Sequence, residues 1–548
     1  MTPTETFDRI REDYHRVWFR FHPETAVDLG VWEHAHALRP ASDEDIGALI
    51  TLNEKLLVSL DELERHELDA DRQLDFDLMA GAASLEIEEL IERDWRKRDP
   101  QQFLPIHAIY QLTLREVPDF AGALSARLRA IPAYLREARQ ELAETPERVP
   151  ALWLESAMES ARRGVDFLHA LPHHHKALAA GRQLRDLSPL VSQACDALVA
   201  YLRFLEHEIG ARAGGDFACG RSRYARLLQE RHFLNVSADR LHDFGVALVA
   251  QTEAQLRALG ATGKSGAKAP PAEALLGEYR HQMQAAGEFV RAHDLVSCPE
   301  SERLSVVATP EFLRHQIPFA AYVEPAPRDP RQHGWYYVTP QSPQGHTRAE
   351  LMHTCVHEAY PGHHLQFVTA HARPESSTWP RLTQISATLY EGWALYCEQL
   401  MHETGFLKGR AHERILLEER LWRALRIVID TGIQARGMTV AEAERLMSEK
   451  LGFTATQIKG ELTWYSRAPA VPMGYATGWA MIVAARELLR ESEPGFTLKS
   501  FHDRLLSCGS IALPLVLQRA FDEPLAGAVQ TRVFGERGSA AARTGSGR

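Results

Sequence analysis

The chain has 548 residues, 45% hydrophobic and 25% charged, with a formal net charge of −11. That balance supports a large buried core and speaks against nucleic acid or an anionic membrane as partner. No run of about 18 apolar residues exists, so no membrane-spanning helix is expected. The six cysteines lie far apart without a Cys-x-x-Cys, and Met1–Asp8 lacks the apolar core of a signal peptide. Both point to a cytoplasmic protein with free thiols.

Residues 4–22 place Phe7, Ile10, Tyr14, Val17, Trp18 and Phe21 on one helical face. Ser42 reads as a helix cap, with Asp43, Glu44 and Asp45 in the first turn. Helical periodicity recurs over 72–98, 117–145, 150–170 and 185–212, so 1–258 is expected as an N-terminal helical region. The run His173-His174-His175 falls in a break and reads as an exposed turn. Ser237 is placed to cap a further helix. A flexible segment, Gly260–Pro271, and a connecting helix fill 259–298. Its Gly-Lys-Ser lacks the upstream glycine of a phosphate loop.

Residues 299–534 read as the catalytic region. Three β-prone runs open it: Leu304–Ala308, Phe319–Val323 and Trp335–Val338. An edge strand there would pair with a substrate backbone. Helices follow around Leu389–Glu398, over 411–436, after a Thr439 cap, and over 479–492, with Trp464–Gly478 as a Pro-rich junction. The stretch 535–548 reads as a disordered tail. The expected fold class is mainly α: a large helical array with a small antiparallel β-sheet beside a zincin-like active-site helix, in one continuous unit.

The densest chemistry lies in Leu351–Gln366, which holds His353, His357, Glu358, His363 and His364. Neutral imidazole is a common zinc ligand, and a Glu directly after a ligand His is the usual general base of metallopeptidases. In His-Glu-x-x-His the second histidine stands four residues on, but Pro361 occupies that place. Six residues of regular helix rise about 9 Å and rotate about 240°. His357 and His363 therefore share an ion only if Pro361-Gly362 breaks the helix. Pairing His353 with His357 needs no break, and His364 could replace His363. The third ligand should be a carboxylate on another helix. Glu391 and Glu398 are candidates, and Gly392 beside Glu391 suits a close helix crossing. Glu398 and His353 would then support the ligands from outside. One zinc per chain is the default, although iron or manganese suits the same set.

The motifs His357-Glu-Ala-Tyr-Pro-Gly-His-His-Leu-Gln366 and Glu391-Gly-Trp-Ala-Leu-Tyr-Cys-Glu398 resemble domain-of-unknown-function family 885, a set of large helical bacterial proteins. Pro469, Tyr475–Gly478 and Pro23–Gly30 extend the likeness over nearly the whole chain. The resemblance implies a relation to the gluzincin peptidases, which hold zinc with two His and a Glu. One departure is the lack of a Gln near Val471.

The expectation is a zinc-dependent hydrolase, foremost a peptidase for short peptides. Glu358 would be the general base. Tyr475 would donate to the developing oxyanion, with His364 and Tyr360 as alternatives. Tyr360 and Arg467 would contact substrate. A hydrolase of non-peptide amides or esters is one alternative. A non-catalytic helical binding protein with a structural metal is another, though such a site has four protein ligands and no use for Glu358.

Overall fold

Helices make up most of the chain, and their ends follow local signals. In this computed structural model Pro3–Phe21 opens on a Thr2–Glu5 capping box. Ser42, Ser237 and Thr439 each accept a hydrogen bond from the backbone N–H three residues on, as the sequence indicated. His173 and His175 are exposed, while His174 is half-buried and caps the short helix His175–Ala180, its ring accepting from the Lys176 N–H. The structure describes residues 2–260, 271–300, 302–311, 314, 317, 320–340 and 347–535. The interior of the expected flexible segment (261–270) and the tail beyond 535 lie outside the described residues.

Two main apolar cores result. Phe21, Ile109, Leu128, Leu154 and Leu198 belong to one, built from the N-terminal helices up to residue 209. The larger gathers Tyr224, Leu241, Leu351, Trp393, Leu425, Met481 and Leu513. Helix Ala70–Glu88, though N-terminal in sequence, enters the larger core through Leu74, Leu78 and Leu85. No helix among the described residues is long and apolar enough to cross a membrane.

The β-prone runs form strands β1 (Arg303–Ala308), β2 (Ala320–Val323) and β3 (His333–Val338) in the order β1-β3-β2. The sheet is mixed, which corrects the antiparallel expectation. β2 runs antiparallel to β3, with Tyr322 opposite Tyr336, but β1 runs parallel to it, with Leu304 opposite Gly334. Residue alternation marks a strand without giving its neighbour's direction. Here β3 inserts between the two earlier strands and leaves β2, half-buried along its length, at an edge.

The expected junction Trp464–Gly478 is also shorter than the prolines suggested. A Thr454–Gln457 capping box carries a helix through Ala455–Arg467, and the next runs over Gly474–Ser492. Only six residues separate them. Ala470 there holds φ +63°, and its N–H donates to the buried Asp430 carboxylate at 3.3 Å. The Gly474–Ser492 helix crosses the Ala387–Glu403 helix at Gly478 and Gly392. A Cβ at Gly478 would sit 1.9 Å from the Thr388 carbonyl oxygen, so the crossing requires glycine.

Candidate metal centre

Thr347 and Glu350 form the capping box that opens the motif helix, Arg348–Glu358. The helix cannot continue through Pro361. The Gly362 N–H instead donates to the Val356 carbonyl at 3.1 Å, and a second helix starts at His363 and ends at His371. The Trp393 indole pins this break by donating to the Pro361 carbonyl at 2.7 Å. A Cβ on Gly362 would lie 1.8 Å from the His357 carbonyl oxygen, so no other residue fits. The reversal brings the His357 and His363 rings to a centroid distance of 4.9 Å at 86°.

Glu391, on the Ala387–Glu403 helix, completes the group. Its Oε2 lies 3.5 Å from His357 Nε2 and 3.2 Å from His363 Nε2. One ligand atom from each of the three lies within 4.8 Å of the others, and this is the one such metal-sized group among the described residues. Glu391 Oε2 is buried and lacks a hydrogen-bond partner, an arrangement that a cation would satisfy. Two imidazoles and a carboxylate fit zinc with a position left open.

Glu398, two turns along the same helix, lies behind the group. Nδ1 of His357 donates to one of its oxygens at 2.9 Å and Nδ1 of His353 to the other at 3.1 Å. This fixes the His357 tautomer with Nε2 free for a metal. His353 is thus held outside the triad, its ring stacked on His412 at 5.3 Å. Burial opposes charge on His357, but the Glu391 and Glu398 carboxylates outweigh it and raise its pKa to about 9. Glu391 is held well below the carboxylate range: burial pushes it up, and His363 and His357 more than reverse this. Burial raises Glu358, with His363 and His357 pulling against it.

Tyr475 lies in the first turn of the Gly474–Ser492 helix, beside the triad. Burial and then the Glu391 carboxylate push its phenol up, so it stays a donor. The Arg426 guanidinium packs 4.3 Å over its ring. Three other expectations need correction. His364 is fully buried, with Nε2 donating to Glu302 at 2.8 Å and Nδ1 accepting from the Tyr322 hydroxyl at 3.0 Å. Tyr360 donates to the same Glu302 oxygen at 2.7 Å. Their polar atoms are committed to that carboxylate instead of an oxyanion or substrate. Arg467 pairs with both Asp99 oxygens, at 2.6 and 2.5 Å, and is a tie between the two halves of the chain.

Sequence reasoning missed Glu302, Tyr322 and Tyr390. Tyr322, on the edge strand β2, lies 6.4 Å from the His363 ring and nearly parallel to it. Tyr390 stands 6.1 Å from the same ring on the other element. Its place beside Glu391 was a usable signal, whereas Glu302 and Tyr322 sit in no motif.

A family described as "Bacterial protein of unknown function (DUF885)" matches residues 23–519. A solved structure described as "a putative lipoprotein of unknown function" from Shewanella oneidensis aligns at TM-score 0.75 and 19% identity, over 93% of this chain and 99% of that one. A "putative lipoprotein" from Colwellia psychrerythraea aligns at 0.81 and 17%, over 98% and 100%. Trypanosoma cruzi metallocarboxypeptidase 1 aligns at only 0.40 and 14%, over 97% and 96%. No curated protein matches the chain. The first two structures share this fold. Their description as putative lipoproteins stands against the cytoplasmic expectation, which is withdrawn. Scattered unpaired cysteines are compatible with either compartment.

Proposed function

The chain belongs to the DUF885 family, and on that premise we propose that it is a zinc-dependent hydrolase acting foremost on short peptides. The observation that carries this reading is the triad. His357, His363 and Glu391 converge within 4.8 Å, with Glu358 next to His357 in sequence. A structural zinc site has four protein ligands, and three with a spare carboxylate suit catalysis.

His357, His363 and Glu391 would hold the ion. When bound, zinc supplies Lewis-acid polarisation and lowers the pKa of water toward 7. Glu358 takes the proton of the attacking water and delivers it to the leaving nitrogen, and its burial-raised pKa brings it nearer the working pH. Tyr475 donates to the carbonyl oxygen as negative charge develops there. Glu398 keeps the His357 ring in place. The edge strand β2 offers its backbone to an extended peptide beside His363.

Metal analysis of the wild type and Glu391→Ala, with a short-peptide screen of the wild type and Glu358→Gln, tests the reading. About one zinc per chain is expected in the wild type and none in Glu391→Ala. Glu358→Gln should keep zinc and lose on the order of a thousandfold in turnover. A zinc-loaded wild type that cleaves no peptide would overturn the peptidase assignment. Simple amides and esters in the same screen would reveal a non-peptide hydrolase.

A further inference from the structure

Phe367 is a wall common to the metal centre and a small recess. Its ring lies 6.2 Å from that of His363 and 6.2 Å from that of Tyr322 on the edge strand. It also lines a cavity with Glu324, His371 and Arg381, closed by apolar residues that include Leu29 and Ile385. The space there for a water-sized group is about 10 Å³, room for one water or one ammonium. A planar guanidinium is larger than that.

The charges around the recess are committed, with one exception. Arg381 gives Nε to Asp75 and Nη2 to Asp71, both at 2.9 Å. His371 donates Nδ1 to the Gln332 side chain at 3.0 Å, and burial above all lowers its pKa to about 3, so it stays neutral. The nearby Arg115 gives Nη1 to the Glu324 backbone carbonyl at 2.7 Å and Nε to Asp28 at 3.4 Å. The half-buried Glu324 carboxylate has neither an ion pair nor a hydrogen bond among the described residues. A desolvated carboxylate without a partner gains strongly from an incoming cation.

Glu324 follows directly on β2 and stands two residues past Tyr322, so alternation turns both to one face. The strand is an edge of the sheet. A peptide paired antiparallel to β2 begins at the end where Glu324 stands. A parallel one would bring its C-terminal carboxylate there, against a like charge.

We propose that Glu324 binds the free α-ammonium of the substrate peptide in this recess, which sets an antiparallel course along β2 and directs cleavage toward the N-terminus. An N-terminus is the ammonium that every unmodified peptide carries. A lysine side chain would offer the same group. The proposal rests on the peptidase reading above.

Calorimetry at neutral pH on zinc-loaded Glu358→Gln protein, with and without Glu324→Gln or Glu324→Asp, separates the cases. One tri-alanine pair differs only in a free or an acetylated amine. A second peptide pair, both acetylated, differs only in Lys or Gln. The free amine should bind at least about tenfold more tightly than the acetylated one. Glu324→Gln should bring that ratio near one, and Glu324→Asp should keep part of it. No preference for the free amine, or one that survives Glu324→Gln, overturns the proposal. So does a preference that follows the Lys side chain, or no peptide binding at all. The ratio is read without turnover, so a protein that binds peptides by this rule but cleaves none would sink the peptidase reading alone.

Discussion

Glu398 shows how one buried carboxylate organises its surroundings. It is 2% exposed in its side chain and holds both His353 and His357 by their Nδ1 atoms. Replacing it with Gln removes the charge that fixes the His357 tautomer and raises its basicity. Zinc affinity should fall about ten- to a hundredfold, measured by competition with a chelating indicator. Unchanged affinity would show that His357 is oriented by packing alone. At this scale the sequence was most informative where residues share a helix. His357 and Glu358 are neighbours, and Glu391 and Glu398 are seven apart, so motif and periodicity exposed them. The doublet His363-His364 was harder. Adjacent residues point apart, and only the geometry of the break decides which one meets His357. The partner of Arg467 lies 368 residues away, which no local pattern reveals.

The break between the two motif helices is the element on which the centre depends. Its cause was legible, since Pro361 cannot continue the hydrogen-bond ladder and Gly362 can take an approach closed to other residues. What held it in place was not, because Trp393 comes from a separate helix. Gly362→Ala would force a methyl group into the His357 carbonyl at 1.8 Å. The two helices must separate, carrying His363 from His357. On the zinc-site reading, the variant should bind less zinc than the wild type and lose on the order of 3 kcal/mol of stability, read from metal content and the urea midpoint. Full zinc occupancy with an unshifted midpoint would mean that the break adjusts without moving either ligand. The sheet carries the complementary lesson. Its strands were visible as β-prone runs, but the parallel pairing of β1 with β3 follows from how the chain returns, which alternation does not encode.

Across the whole molecule, the helical class was readable from periodicity, but the entry of helix Ala70–Glu88 into the larger core was not. That helix ends near a partly buried polar knot. Glu86 accepts from the Trp18 indole at 3.0 Å and from Asn53 at 2.8 Å, and lies 2.9 Å from His22. Burial alone would raise its pKa, but the His22 charge and these hydrogen bonds outweigh burial and lower it from 4.5 to about 2. Between those values the unfolded chain takes up a proton that the folded chain refuses. Stability from this group is thus fully present above pH 4.5 and drains away as pH falls toward 2. The difference is worth up to about 3 kcal/mol. Because the helix carrying Glu86 also supplies Leu74, Leu78 and Leu85 to the larger core, acid should loosen that core along with the helices around Glu86. Urea midpoints at pH 7 and pH 3 for the wild type and Glu86→Gln isolate the contribution. The wild type should lose more stability on acidification than the variant, which starts lower at pH 7 and changes less. Equal losses in the two proteins would place the acid sensitivity in other carboxylates.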